Sequence, residues 1–487
     1  LASVHASKQS MFNEFELKGN WWLPNSDKKV SGILFYKHDK ITLELIGDLN
    51  NSEGRSLYFN SDTFDTSCIL GFTDKGEKIT LFDSIKINSN THIPGFSTET
   101  YSIQKFIVGG HFNKQNDLIN FHSMIFYPTL FNKWTAKVPF TRTVLIEDDK
   151  VKGIDNIKFT KPNLFKVHVD SINASVEEAY TTNLSGNVNE DIKWVYRGGF
   201  NIIPTVFQTA SWFEKQMYSL RNLFTLFLGT STYFDSIILY GEIDNPNVNT
   251  RKKYHLFFVQ KEVKQPKKFE SFDVLVNLHE IEHNLSAVLN SWFSKREKLK
   301  EVLNLYLSNF YSKMYLEKKF LNAVQTLEVY HRNTKEGIMF EDAEYTQSVE
   351  KLRDILNDNE FNKDFIEILE NKLAFANEYS LSKRLKELIN GLSQNNKTTL
   401  IGNSDNRKRF ILQLVDTRNY LTHYDKSNKK FVLSGQEQYF AIERMNALIT
   451  IYLYKELGIK EELITDKLFQ NKQFNFSLVA AKEILNK

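Results

Sequence analysis

Through the first half of the chain, apolar and polar positions alternate with a period of two. The runs SGILFYKH (31–38), KITLELIG (40–47), KITLFDSIKI (78–87) and LINFHSMIFY (118–127) are rich in β-branched and aromatic residues. Clusters of Asn, Asp and Gly separate them, which predicts strands joined by turns. SWFEKQMYSLRNLFTLFLG (211–229) breaks the pattern with a helical period and a closing glycine. Strands resume at SIILYGEI (236–243) and YHLFFVQK (254–261). The expectation for this half is a sandwich or barrel-like β domain.

Beyond residue 267 the period changes to about 3.6. Helices are expected over 272–293, 319–333, 345–358, 363–379, 382–392, 406–424 and 436–458, the last closing on Gly458. Proline supports the division. All eight prolines lie before residue 267, and so do fifteen of the twenty glycines. Proline removes a backbone donor and breaks helices, so its absence afterwards favours a helical bundle. The fold class is therefore α+β and multidomain.

Domain limits follow from these shifts. LASVHASKQS (1–10) reads as an appended remnant, with Met11 opening the natural sequence. Residues 11–262 form the β-rich domain, 263–312 a linker and connecting helix, and 313–487 the all-α domain. The apolar fraction of 41% supplies ample core and argues against disorder. A net charge of only +3 gives no global field for polyanions, so a nucleic acid would have to meet a local patch. The single cysteine, Cys68, excludes an internal disulfide and a thiolate metal cluster, and suits a reducing cytoplasm. Apolar runs such as ALITIYLY (447–454) are far shorter than the roughly 20 residues a membrane span needs, so no membrane partner is expected.

The stretch DTRNYLTHYDK (416–426) carries the candidate chemistry. Arginine is always charged and presents a planar fork that fits phosphate oxygens. Histidine can take a proton from one oxygen and return one to another. On a regular helix Arg418 and His423 diverge by about 140°. They can share a ligand only if the helix ends near Thr422 and His423 turns back. Asn419 sits one turn before His423, where it could orient the ring. The structural alternative is equally concrete: His423 interacting with a helix dipole and Arg418 pairing with Asp416. Arg407, Lys408 and Arg409, with Lys426, Lys429 and Lys430, form the best local basic patch for RNA, although charge runs are usually just solvated.

R-N-Y-L-T-H, Arg418 to His423, resembles the R-x(4–6)-H motif of HEPN ribonucleases. QTLEVYHR (325–332) is similar to a segment of the HEPN domain in ApeA-type anti-phage proteins. FELKGNWWLP (15–24) followed by SGILFYKHDKITLELIG (31–47) resembles the ApeA N-terminal domain. The resemblance implies a cytoplasmic defence effector of the abortive-infection type, toxic when active. Its β-rich domain would sense a phage-derived trigger, and its HEPN domain would cleave RNA without a metal or other cofactor. It further implies a homodimer whose two motifs face one composite cleft. Arg418 and His423 would be the catalytic pair, with Asn419 and Thr422 as polar support. Glu328 either faces the cleft or is spent in core or surface pairing, and His331 is likewise open.

Other motifs compete. HEIEH (279–283) matches the H-E-x-x-H pattern of zinc peptidases, with His279 and His283 as ligands, Glu280 as base, and Glu297 or Glu301 as a third ligand. Acidic Glu282 and the polar SKREK (294–298) favour a solvated helix instead. Trp21 and Trp22 could form a sugar or base platform, or divide between the core and a sheet edge. A non-catalytic helical adaptor, binding nucleotide or forming a dimer through Arg418 and His423, is the remaining alternative.

Overall fold

The computed structural model describes residues 4–49, 65–90, 94–112, 120–147, 149–187, 189–245, 247–248, 250–263, 268–359, 361–424 and 430–486. The chain divides into two compact units, Leu1–Phe293 and Ser294–Lys487.

The first unit opens with six antiparallel strands: β1 (Phe15–Trp22), β2 (Val30–Lys37), β3 (Lys40–Ile46), β4 (Asp65–Thr73), β5 (Lys78–Asn90) and β6 (Thr98–Val108). In β2 the buried positions are Val30, Gly32, Leu34 and Tyr36, the period-two pattern of a half-buried strand. The pairings run β1–β2–β3–β6–β5–β4 and back to β1, which closes a barrel. Leu17, Trp21, Leu34, Leu43, Ile69, Leu81, Ile103 and Phe106 fill it. Gly71 makes room for Trp21, because a Cβ there would lie 2.3 Å from the indole. Trp22, paired with Leu70 at the end of β1, is half-buried and meets His111 edge-on at 5.1 Å, so only Trp21 of the pair is core and neither covers a sheet edge.

β6 is the junction. Its residues 98–103 pair with β3, while 105–108 pair with a later strand and start an open sheet. The remaining elements of the unit are β7 (Ser123–Pro128), α1 (Phe131–Thr135), β8 (Phe140–Glu147), β9 (Lys150–Phe159), β10 (Lys166–Val169), β11 (Ala174–Asn187) and β12 (Asp191–Pro204). They continue with α2 (Ala210–Leu228), β13 (Phe234–Asn245), β14 (Thr250–Phe258), α3 (Leu278–Ile281) and α4 (Leu285–Lys295). The open sheet runs β10–β11–β12–β7–β13–β14, and β8–β9 is a separate ribbon. α2 begins at the Thr209 cap and ends at Gly229, whose φ of +70° suits a left-handed stop. Residues 6–10, expected as an appendage, are tied into this unit. Ala6 is buried, Ser7 donates to Glu77 at 2.6 Å, and Ser10 donates to Asp235.

The expected single helix over 272–293 is broken. Residues 271–273 form a 3-10 turn, Val274 is extended, Leu275 and Val276 bend, all three are buried, and only then does Asn277 cap α3. Tertiary contacts override the helical period here. The Val276 N–H donates to the Phe227 carbonyl, and its own carbonyl accepts from the Trp134 indole at 3.1 Å. The unit boundary accordingly falls after Phe293, inside the 263–312 segment read as linker and connecting helix.

The second unit is helical: α5 (Lys300–Tyr311), α6 (Leu316–Thr334), α7 (Asp342–Asp358), α8 (Lys363–Ala376), α9 (Leu381–Asn390), α10 (Gln394–Leu400), α11 (Ser404–His423), α12 (Gly435–Glu456), α13 (Glu461–Gln470) and α14 (Lys472–Leu485). α12 is buried on every side from Ala447 to Tyr454 and packs against α6, α13 and α14, so it is the core helix of the unit. Among the described residues no helix is long and apolar enough to cross a membrane.

Candidate active site

The motif helix, α11, is seated by Phe410, Leu414, Thr417 and Leu421, all buried. Each apolar member contributes on the order of 1.5–3 kcal/mol by leaving water. Asn403 and Asn406 form a capping box at its start. The chain after the helix returns to it: the Leu433 N–H donates to Thr417 Oγ1 at 2.9 Å, and the Phe431 N–H to Asp416 at 3.2 Å. Asp416 is thus committed to the returning backbone.

α11 does not end at Thr422. It runs through His423 and stops at Tyr424, which adopts φ +54° while its N–H still bonds the Tyr420 carbonyl. His423 therefore keeps its helical direction and the turn-back expected of it does not occur. Arg418 and His423 of one chain lie about 140° apart around the axis. His423 shares an outward face, about 60° wide, with Lys408, Leu412 and Asn419. Arg418 is half-buried and donates from Nη1 to Asn419 Oδ1 at 3.1 Å, so Asn419 holds the arginine rather than the histidine ring. Thr422 donates to the Arg418 carbonyl at 2.7 Å, and His423 itself is exposed.

Sequence reasoning missed Tyr424. It is 73% exposed, and its ring meets that of Tyr420 at 5.8 Å. The signal was present as tyrosines four apart, one inside the motif and one directly after it. The basic patch is only partly assembled: Lys408, Arg409 and Lys430 are exposed, while Arg407 donates to the Gly402 carbonyl at 3.0 Å. Lys426 and Lys429 lie outside the described residues.

Glu328 is paired rather than free, accepting from Arg332 one turn on at 3.2 Å. Arg332 also donates to Glu378 at 2.6 Å. His331 is fully buried between α6 and α9. One ring nitrogen lies 2.9 Å from Glu387, and the other accepts from Arg384 at 3.2 Å. Since the guanidinium can only donate, the ring is neutral with its proton toward Glu387. Burial pushes the His331 pKa below its ordinary value, outweighing the Glu387 hydrogen bond. The unfolded chain therefore takes up the proton first on acidification. This contribution to stability is complete above about pH 6.5 and is lost as pH falls toward the depressed native value. The urea midpoint should fall between neutral and mildly acidic pH, and less steeply in His331→Gln. Equal slopes would show that another group carries the dependence.

HEIEH does not form a zinc helix. α3 ends at Ile281, whose ψ is 0°, and a 3-10 turn (Glu282–Asn284) follows, so His279 and His283 share no continuous helix. Glu280 serves in the Asn277 capping box. Among the described residues no group of three or more His, Cys, Asp or Glu is placed to hold a metal. Cys68 is buried, and burial pushes its thiol up to about 12.

Family comparison matches residues 16–292 to the ApeA N-terminal domain 1 and residues 321–463 to the Apea-like HEPN domain. The chain belongs to the ApeA family. The ApeA N-terminal match ends beside the structural boundary at Phe293, and the ApeA-like HEPN match spans α6 to α12, including Arg418 to His423. As an ApeA-type chain it is a defence-associated HEPN protein. Comparison with curated proteins and with solved structures gives no match.

Proposed function

We propose that the helical unit is a metal-independent endoribonuclease and the chain an abortive-infection effector. The observation that carries this reading is the placement of Arg418 and His423 at the open end of a helix inside an Apea-like HEPN domain. The histidine takes the proton from a ribose 2′-OH, which attacks the adjacent phosphorus. The arginine fork stabilises the phosphorane charge, and the 5′ oxygen leaves with a proton returned by an imidazole. The products are a cyclic phosphate on one fragment and a 5′-hydroxyl on the other.

Since the two side chains of one helix point apart, the site is completed by a second copy, whose histidine faces the first copy's arginine. Asn419 holds the arginine in place. Tyr424, Lys408 and Arg409 contact the flanking nucleotides by stacking and by charge. The β-rich unit senses the phage-derived trigger, and the protein acts as a homodimer in the cytoplasm.

The test is RNA from infected cells expressing the full-length protein, with purified protein and labelled RNA in EDTA as the second arm. Fragments ending in cyclic phosphate are expected in both arms once the trigger is present. Blocked phage growth with RNA intact throughout infection would overturn the reading.

A further inference from the structure

Asp416 and His423 stand seven positions apart on α11. They are therefore about 20° apart around the axis and about 10.5 Å apart along it. A half-buried carboxylate thus shares the face of the acid–base group in the proposed reaction. RNA phosphates would meet that face, and a negative charge left unanswered there opposes their binding. Asp416 needs a reason to be acidic and to be there.

The returning chain supplies one. It leaves α11 at Tyr424, and by Phe431 it is back beside Asp416. The Phe431 N–H donates to Asp416 Oδ2 at 3.2 Å, and the Leu433 N–H to Thr417 Oγ1 at 2.9 Å. Alternate N–H groups of this strap, residues 431–434, are thus held by adjacent side chains of the helix, directly before Arg418. The far end of the strap belongs to the core: Thr417 and Leu433 are buried, the Leu433 carbonyl accepts from Gln438 at 3.0 Å, and Ser434 caps α12. Asp416 holds the near end, where Lys430 enters.

The Cα of Lys430 is one peptide, about 3.8 Å, from that of Phe431. Fixing Phe431 on Asp416 therefore places Lys430 beside the face that carries His423. Lys430 is exposed, and among the described residues no carboxylate pairs with it. Neighbouring cations are already engaged: Lys408 meets Asp405 at 3.8 Å, and Arg407 donates to the Gly402 carbonyl. We infer that Asp416 is a positioning residue, which holds the strap so that Lys430 presents its ammonium to an RNA phosphate beside His423. A lysine carries a point charge on a flexible stem, so its backbone must be fixed if the charge is to be placed. The clamp answers the carboxylate with a cation one residue away. This role rests on the nuclease reading above, which makes RNA the ligand of that face.

The test uses full-length protein carrying His423→Ala, so that labelled single-stranded RNA stays intact, in EDTA. The slope of log affinity against log salt counts phosphate contacts. Asp416→Ala and Lys430→Gln should each make it shallower by about 0.7–1. The double variant should lose the same amount and not twice as much, because both changes remove one contact. Asp416→Asn keeps an oxygen that accepts the Phe431 N–H, so its slope should match the parent. Hydrogen exchange over 431–433, read without RNA, should quicken at least about tenfold in Asp416→Ala and stay slow in Asp416→Asn. Alanine and asparagine variants that behave alike in both measurements would overturn the clamp, since charge alone would then explain Asp416. Additive losses in the double variant, or a parent protein that binds no RNA, would overturn the placement of Lys430. These failures leave RNA cleavage in infected cells to stand or fall by itself, and intact RNA there leaves the exchange result standing.

Discussion

Replacing His423 with alanine is expected to lower RNA cleavage by about 10²–10⁴-fold, the usual worth of a positioned acid–base group. The protein should stay folded. His423 is exposed at the last position of α11, and its remaining structural role is with the helix dipole, worth about 0.3–1 kcal/mol. The thermal midpoint should hardly move while the initial rate collapses. A variant that cuts at the wild-type rate, or that loses its fold, would return His423 to an ordinary helix-end residue.

Arg418→Lys separates charge from geometry. The lysine keeps the cation but loses the fork and the bond to Asn419 Oδ1, so a loss of about 10²–10³-fold is expected. The 140° between the two side chains adds a sharper arm. If arginine and histidine come from different copies, mixing His423→Ala with Arg418→Ala rebuilds one intact site in each mixed dimer, up to about a quarter of wild-type activity. If both come from one chain, the mixture stays dead.

Much of the candidate site was legible because its proposed chemistry is local. The residue types in R-N-Y-L-T-H, the helix that holds them and the angular conflict between Arg418 and His423 all follow from adjacent positions. The end of the helix was not legible to the residue. Tyr424 takes a left-handed conformation that sequence preference assigns to glycine or asparagine, and that residue decides the direction of His423. Strands of the first unit were legible from alternation, but barrel closure was not. It depends on β6 pairing with β5 along one edge and sharing the other between β3 and β14, a choice made by distant chain. Buried polar groups were hidden for the same reason. Arg444 is fully buried over the Phe410 ring at 4.8 Å, with burial pushing its pKa down to about 9, yet its neighbours in sequence mark it as a surface position.

Trp134→Ala is expected to cost the first unit about 3–5 kcal/mol, the range for truncating a buried aromatic. The indole is 1% exposed, stacks on Phe227 at 5.9 Å, and meets Phe224 and Phe131 edge-on. The indole lines a cavity of about 10 Å³ together with Leu285 and Leu289 of α4, so truncating it enlarges a void that this helix borders. Trp134→Phe should retain part of the stack but leave the Val276 carbonyl without its donor, a penalty of about 1–3 kcal/mol. Two units need not unfold together, so hydrogen exchange is the measurement. Loss of protection should reach 278–293 in both variants and be larger in the alanine. Protection of α3 and α4 unchanged by Trp134→Ala would mean that these helices do not depend on the β-rich core. If protection is lost as expected, the apolar periodicity of 272–293 belongs to the core around Trp134 and not to a connector, which is why its helical pattern pointed to the wrong element.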